Sequence, residues 1–256
     1  MKTKKSLFEL FGLILLMYFG CADDKNSDFT TYEGNAKLKR TLLYASVDAQ
    51  SPINIIDEYE YDTQGRINKV SSPWYSNGNI IGTVRYDLYE YNSSGQLTSI
   101  SNFNANTNAP SEYINLKNCI YTYYPNELKE KQYIEYPLIN SFEYILYFYN
   151  DNKLIMTERH NKKDEIEDYT TFEYNGNRLS KETLYSSNGD VNTITSHLFL
   201  NGLNSKTEIY KGNNGKDKLR EIKKTYDSNY NLIIIESIEL TSYSSMSSYV
   251  MKYEYY

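Results

Sequence analysis

Two cysteines in 256 residues leave little from which to build a disulfide framework, so stability must come from burial and hydrogen bonding rather than bridges. The two histidines, His160 and His197, have no second His or Cys at ligand spacing, and no metal site is expected. Lysine and arginine total 27 against 33 acidic residues, and they are scattered. A nucleic-acid partner is not expected without a basic stripe to neutralise phosphates. No Gly-x-Ser-x-Gly elbow, phosphate loop or dinucleotide fingerprint appears, so neither a cofactor nor enzymatic activity is expected. Proline is also sparse, at 5 residues.

Tyrosine is abundant, with 29 residues against 9 Phe and a single Trp. Its flat ring covers a pleated, half-buried surface while the hydroxyl stays wet. Such a composition favours sheet over helix.

The N-terminal segment reads as an address. Lys2, Lys4 and Lys5 precede an apolar run from Leu10 to Phe19, too short for a membrane span and suited to a secretory signal. Gly20-Cys21 closes it. A small residue followed by Cys at this place resembles the lipobox of bacterial lipoproteins, here in the looser form similar to that of Bacteroidetes. The resemblance implies a signal peptide over 1–20, a lipidated Cys21 and a membrane partner reached through that anchor. The polar, acidic stretch beginning Ala22-Asp23-Asp24 reads as part of a tether over 21–35. Location at the outer membrane follows, on the cell surface or facing the periplasm. With Cys21 acylated, Cys119 is left alone in a strand-like context and reads as a small buried hydrophobe.

Over 36–256 one phrase recurs, reading as a single repeat domain. It appears as Tyr59-Glu60-Tyr61-Asp62-Thr63-Gln64-Gly65-Arg66-Ile67 and again as Tyr89-Glu90-Tyr91-Asn92-Ser93-Ser94-Gly95-Gln96-Leu97. Weaker copies surround Tyr123, Tyr149, Tyr174, Leu200 and Tyr226, and Tyr253-Glu254-Tyr255 begins another. Aromatic-polar-aromatic alternation puts both rings on one strand face. Asp or Asn followed by Gly supplies a turn, and an aliphatic residue opens the return strand. Tyr61, Tyr91 and Tyr226 stand six positions before that aliphatic residue, while Tyr123, Tyr149 and Tyr174 stand five before it. Two loop lengths are therefore expected. Asn77-Gly78, Asn188-Gly189 and Asn214-Gly215 mark turns between phrases.

The phrase resembles the YD repeat of RHS-type proteins, Tyr-x-Tyr-Asp-x-x-Gly-Arg-Leu. In that family the repeats build a coiling antiparallel sheet that can enclose a cargo. This chain has too few repeats for such a shell, so encapsulation is not carried over. It is more similar to small YD-repeat-like lipoproteins of Bacteroidetes.

The expected fold is all-β, an antiparallel meander of roughly sixteen strands. It is expected to form a long curved sheet, open or an incomplete barrel, with Tyr and Leu/Ile on the concave side. A membrane-spanning barrel is set aside, because Arg220, Glu221, Lys223 and Lys224 put charge on both faces of one strand. The acidic residues Asp164, Glu165, Glu167 and Asp168 read as a solvated hairpin loop balanced by Lys162 and Lys163. Trp74, Tyr75, Tyr185 and Tyr210 fall at comparable turn positions and are the candidate binding residues. The expected function is a non-catalytic envelope lipoprotein serving as a β-repeat scaffold or binding platform for a protein or glycan ligand. The alternative is a surface glycan-binding accessory protein that stacks sugars on those four rings.

Overall fold

The computed structural model describes residues 36–44, 46–76, 79–106, 109–212, 215–240 and 248–256, with backbone alone at 74–76, 79–81, 106 and 109–111. The signal-like segment, Cys21 and the Asn77-Gly78 turn lie outside the described residues.

Sixteen strands follow one another along the described residues. They are β1 (Leu38–Tyr44), β2 (Asn54–Tyr61), β3 (Ile67–Ser76), β4 (Asn79–Tyr91), β5 (Leu97–Asn106), β6 (Ala109–Tyr123), β7 (Lys129–Tyr136) and β8 (Ser141–Asn150). Then come β9 (Lys153–Asn161), β10 (Ile166–Asn175), β11 (Arg178–Ser186), β12 (Val191–Leu200), β13 (Leu203–Lys211), β14 (Asp217–Tyr226), β15 (Leu232–Glu239) and β16 (Tyr249–Tyr255). Each pairs antiparallel with its chain neighbours, and β1 pairs with β16, so the meander is a closed barrel.

Closure corrects the expectation of an open sheet. The physical reason lies in the pairing irregularities. Every hairpin formed by the repeated phrase shifts register beside its second aromatic residue, as at Glu60/Tyr61, Glu90/Tyr91, Thr122/Tyr123 and Thr225/Tyr226. Bulges of this kind bend a strand and increase its twist, which is how a long meander coils far enough to meet its own start.

The seven phrase turns, together with the start of β1 and the end of β16, lie at one end of the barrel, called here the clasp end. The other connections lie at the mouth end. Among the phrase turns, 62–66, 92–96, 124–128 and 227–231 share one form. The first residue's N–H donates to the fifth residue's carbonyl, and the fourth residue's N–H donates back to the first carbonyl. The fourth residue has positive φ in each, at Gly65, Gly95, Glu127 and Tyr230. The turns at 151–152 and 201–202 are two-residue loops with both residues at positive φ. Two loop lengths are thus present, but Tyr123 belongs to the longer class. Its ladder partner is Lys129 rather than Leu128.

Lys129 therefore fills the slot held elsewhere by Ile67, Leu97, Leu154, Leu179 and Leu232. It is 1% exposed, with its ammonium 4.8 Å from the Tyr121 ring centroid and 5.4 Å from that of Tyr147.

The inward face is the buried one. Tyr59, Val70, Leu97, Tyr121, Ile134, Tyr147, Leu179, Ile222 and Ile235 are all buried. Their strand neighbours Glu60, Glu90, Thr122 and Glu173 are exposed. This matches the expected placement of Tyr and aliphatic residues on the concave side. Cys119 is buried among Leu97, Tyr121 and Ile134.

One bond recurs around the clasp end. The hydroxyl of the second Tyr donates to a carbonyl at the start of the preceding strand. The pairs are Tyr61 to Leu38 (2.7 Å), Tyr91 to Ile67 (2.8 Å), Tyr123 to Leu97 (2.7 Å), Tyr174 to Leu154 (3.0 Å), Tyr226 to Asn204 (3.1 Å) and Tyr255 to Leu232 (2.7 Å). A cation just before that carbonyl often covers the same ring. Lys37 lies over Tyr61, Arg66 over Tyr91 and Lys153 over Tyr174, while Arg178 lies over Phe199, which has no hydroxyl. The residues that close one phrase, such as Arg66-Ile67 and Lys153-Leu154, thus hold the aromatic of the next. Each bond contributes about 0.5–1.5 kcal/mol, and each cation–ring contact about 0.5–1 kcal/mol.

The outward face carries cross-strand ion pairs. Lys69 meets Glu60, Lys181 meets Glu173 and Arg40 meets Glu254. Lys206 and Lys218 bracket Glu208 and Glu221. Hydrogen bonds from Lys206 and then Lys218 pull the Glu208 carboxyl down to about 2. A charge facing lipid near the bilayer midplane costs about 2–4 kcal/mol, so this flank suits water. Arg220 turns inward and pairs with Glu239 at 2.9 Å, both nearly buried, while Glu221 and Lys223 point outward.

Candidate functional site

The inward face changes character toward the mouth, where charged and polar side chains replace rings. Asp57, 1% exposed, accepts a 2.6 Å bond from the Ser72 hydroxyl, which in turn accepts from Arg85 Nε at 3.0 Å. Burial pushes the Asp57 carboxyl up, opposed by Arg85. Burial also pushes Asp87 up, although Asn102 donates to it. On the opposite wall His197 sits between Glu182 Oε1 (2.7 Å) and Thr207 Oγ1 (3.1 Å).

On the wall of β7 to β10 the polar groups converge on an opening. Arg159 Nε donates to Asp168 at 3.0 Å, and its Nη1 reaches Glu143 at 3.3 Å and Glu167 at 3.5 Å. The Tyr136 hydroxyl donates to the other Glu143 oxygen at 2.6 Å. The hydrogen bond to Asp168 raises the Arg159 pKa, and burial followed by the Glu143 bond raises that of Tyr136. Antiparallel registry explains the hub. Arg159 is directly opposite Ile145 and Asp168, which places Glu143 and Asp168 on its inward side.

Above this hub the β7–β8 and β9–β10 connections enclose a cleft of about 290 Å³. One rim is the 3-10 turn Pro137–Ile139, which leaves Leu138 62% and Ile139 72% exposed. The other rim is the turn 161–165, ordered by the Asn161 side-chain oxygen, which accepts from the backbone N–H groups of Lys163 (2.9 Å) and Glu165 (3.2 Å). Phe142 lines the cleft and stacks outside it on Tyr133, with ring centroids 5.0 Å apart. The lining brings the exposed Ile139, the carboxylates of Glu143 and Glu167, the Asn161 amide and the Lys162 and Lys163 side chains to one concavity, which is a binding chemistry.

The acidic residues 164–168 are a hairpin turn and strand start, as the sequence suggested. Their counter-charge differs from expectation. Arg159 pairs with Glu167 and Asp168, Glu165 takes a bond from Asn161, and Asp164 from Tyr144. Lys162 and Lys163, which line the cleft, form no ion pair among the described residues.

Of the residues singled out from sequence, Trp74 and Tyr75 lie on β3, opposite Gly82 and Ile80, with backbone alone described. Tyr185 stacks face to face on Tyr169, centroids 4.7 Å apart. The Tyr210 hydroxyl donates to Glu208 at 2.8 Å. All four positions are at the mouth end. Seven strands lie between β3 and β11 either way round the ring, so the barrel does not bring the four together. His160 is stacked on Tyr144 with Nε2 3.3 Å from Glu158. Among the described residues no group of three or more His, Cys, Asp or Glu side chains could hold a metal ion.

Sequence reasoning missed Arg159, Glu143 and Phe142. Their signal was a lone inward Arg in β9 flanked by acidic strands, which becomes visible only once register is known.

No protein-family model matches the chain, and no curated protein matches it. Solved structures with a similar trace include a porin-like protein from Bacteroides uniformis, 11% identical with a TM-score of 0.42, covering 88% of this chain and 98% of that one. A porin-like protein from Bacteroides vulgatus is 13% identical with a TM-score of 0.35, covering 87% and 99%. The Photorhabdus luminescens Tc holotoxin pore is 12% identical with a TM-score of 0.22, covering 77% of this chain and 13% of that one. At such scores no pore or toxin activity transfers to this chain.

Proposed function

We propose that this chain is a non-catalytic cell-envelope lipoprotein, anchored through Cys21, whose closed YD-like repeat barrel carries a binding surface at its mouth. One observation supports it above the others. β1 begins and β16 ends at the clasp end, so a tether from Cys21 enters there and leaves the mouth cleft at the far end. The outward ion pairs favour a barrel standing in water beside the membrane rather than within it. Proteinase K digestion of intact cells, comparing wild type with Cys21→Ala, tests the reading. Loss of wild-type protein from intact cells, with release of Cys21→Ala from the membrane fraction, is the expected result. A Cys21→Ala variant that stays with membranes contradicts it.

A second reading is a glycan-binding accessory protein using Trp74, Tyr75, Tyr185 and Tyr210. Its support is that all four positions fall at the mouth end. Titrating neutral oligosaccharides against the emission of the single Trp tests it, and unchanged emission across a broad panel argues against it.

A further inference from the structure

The clasp end has two unequal halves. On the arc from β12 round to β1 it presents the exposed Leu198, together with Leu200, Tyr230 and Tyr256 at 64%, 49% and 74% exposure. The opposite half carries Glu127 and Asp151 on its turns, beside the less exposed Tyr124. Tyr230 holds the fourth position of its turn at φ 67°, the slot that Gly65 and Gly95 fill in matching turns. Left-handed backbone costs a residue with a Cβ energy that glycine avoids, so folding alone does not favour an exposed tyrosine there. Rings and leucines grouped on one exposed arc mark a surface that meets something less polar than water.

The chain enters the barrel on the same arc, where the Tyr256 N–H donates to the Lys37 carbonyl at 3.0 Å. Fourteen residues, 22–35, lie between Cys21 and Ala36. At full extension, about 3.3–3.6 Å per residue, they hold Ala36 within about 50 Å of a lipid on Cys21. Confinement of that kind gives a weak surface contact an effective concentration of roughly millimolar, so a small apolar arc is enough to dock. Charge does not drive the contact, because Asp62, Glu127, Asp151 and Asp227 stand on the clasp turns with Lys37, Arg66, Lys153 and Arg178. We propose that the barrel docks clasp-first on the bilayer that anchors it. Leu198, Leu200, Tyr230 and Tyr256 sit at the headgroup level, which suits rings that have an apolar body and a wet hydroxyl. This rests on the reading of Cys21 as a lipid anchor and adds a second contact with the membrane, made by the barrel itself.

The experiment places one tryptophan at either end of the barrel. Lipidated protein carrying Trp74→Phe with either Tyr230→Trp or Ile139→Trp is reconstituted in phosphatidylcholine vesicles, with and without bromine on the acyl chains. Tyr230→Trp is expected to shift its emission to shorter wavelength and to lose intensity to the bromines, and Ile139→Trp to do neither. Quenching at 139 but not at 230 overturns the orientation, and quenching at neither overturns the docking. In a second arm the Cys21→Ala chain is floated with the same vesicles. There Leu200→Ser/Tyr230→Gly is expected to lower the partition coefficient about tenfold, through lost apolar contact, while Leu138→Ser/Ile139→Ser leaves it unchanged. Both substitutions at 200 and 230 replace exposed side chains, and a melting curve checks that the fold is kept. Equal partition of a folded double variant overturns the assignment of the arc. A barrel that dimerises in solution through the arc without binding vesicles assigns the arc to a second copy and overturns the lipid surface. Mass spectrometry reads the anchor separately: an unmodified Cys21 overturns the anchor, and the flotation arm still decides the docking.

Discussion

Arg40 Nε donates to Glu254 Oε2 at 2.8 Å, joining residues 214 positions apart in the chain. This contact marks the seam where β1 meets β16. The pair is partly exposed and pulls the Glu254 carboxyl down, but exposed pairs contribute little, about 0–1 kcal/mol. The seam is held from inside, by Met251 packed with Ile222, Ile235, Tyr249 and Leu43. Arg40→Ala is therefore expected to cost under about 1 kcal/mol, and Met251→Ala about 2–5 kcal/mol. Urea unfolding of the two variants checks the order, and equal losses would place the seam's strength in the ion pair.

The Tyr ring at the clasp end accounts for the repeated phrase. Tyr91→Phe and Tyr123→Phe each remove one hydroxyl bond to a carbonyl and keep the ring. Each is expected to lower stability by about 0.5–1.5 kcal/mol. Tyr91→Leu also loses the Arg66 contact at 4.3 Å and is expected to cost more. A Tyr91→Phe variant as stable as wild type would show that the phrase is kept for packing alone.

Lys129 breaks the repeat from within. Its slot is aliphatic in five other hairpins, and it is nearly fully buried against Tyr121 and Tyr147. Taking a charge out of water costs several kcal/mol unless it is well compensated, and a leucine in this slot avoids that cost. Lys129→Leu is expected to raise the midpoint of thermal unfolding. A fall would mean that the two tyrosine faces hold the ammonium better than they would hold a leucine.

Asp57 sets a pH dependence. Burial raises its folded-state pKa above the unfolded value of 3.8. The unfolded chain then ionises first as pH rises, so this residue lowers stability progressively from that value up through the folded pKa, and the penalty is absent at lower pH. Asp57→Asn removes the term. Relative to the variant, wild type is expected to gain stability as pH falls from 7 toward 4, measured by urea midpoints. A difference independent of pH would show that Arg85 and Ser72 fully compensate the buried carboxylate.

Much of the fold was legible because its signals are local. The Tyr-x-Tyr alternation, the Asp or Asn after it and the aliphatic return residue define strand ends within one hairpin, and they give the strand number and the inward face. Closure was not legible. It depends on accumulated twist from bulges at residues such as Tyr61 and Tyr226, and on a pairing between Thr41 and Tyr253 that no local pattern encodes. Lys129 concealed the true class of the Tyr123 turn, because Leu128 looked like the aliphatic that opens the strand. The cleft was hidden for a related reason. Glu143, Arg159 and Asp168 sit on three strands and meet only through register.

The clasp, the inward core and the position of the mouth all require a closed ring, and the ring closes at the seam between β1 and β16. Leu42 and Lys252 are outward partners across it, so a short bismaleimide should link Leu42→Cys to Lys252→Cys within one chain when Cys119 is replaced by Ser. Rapid cross-linking of the monomer, visible as a faster-migrating band on a denaturing gel and lost in urea, is the expected result. Cross-links formed only between molecules, or none while the chain remains folded, would show that the sheet is open and contradict the barrel.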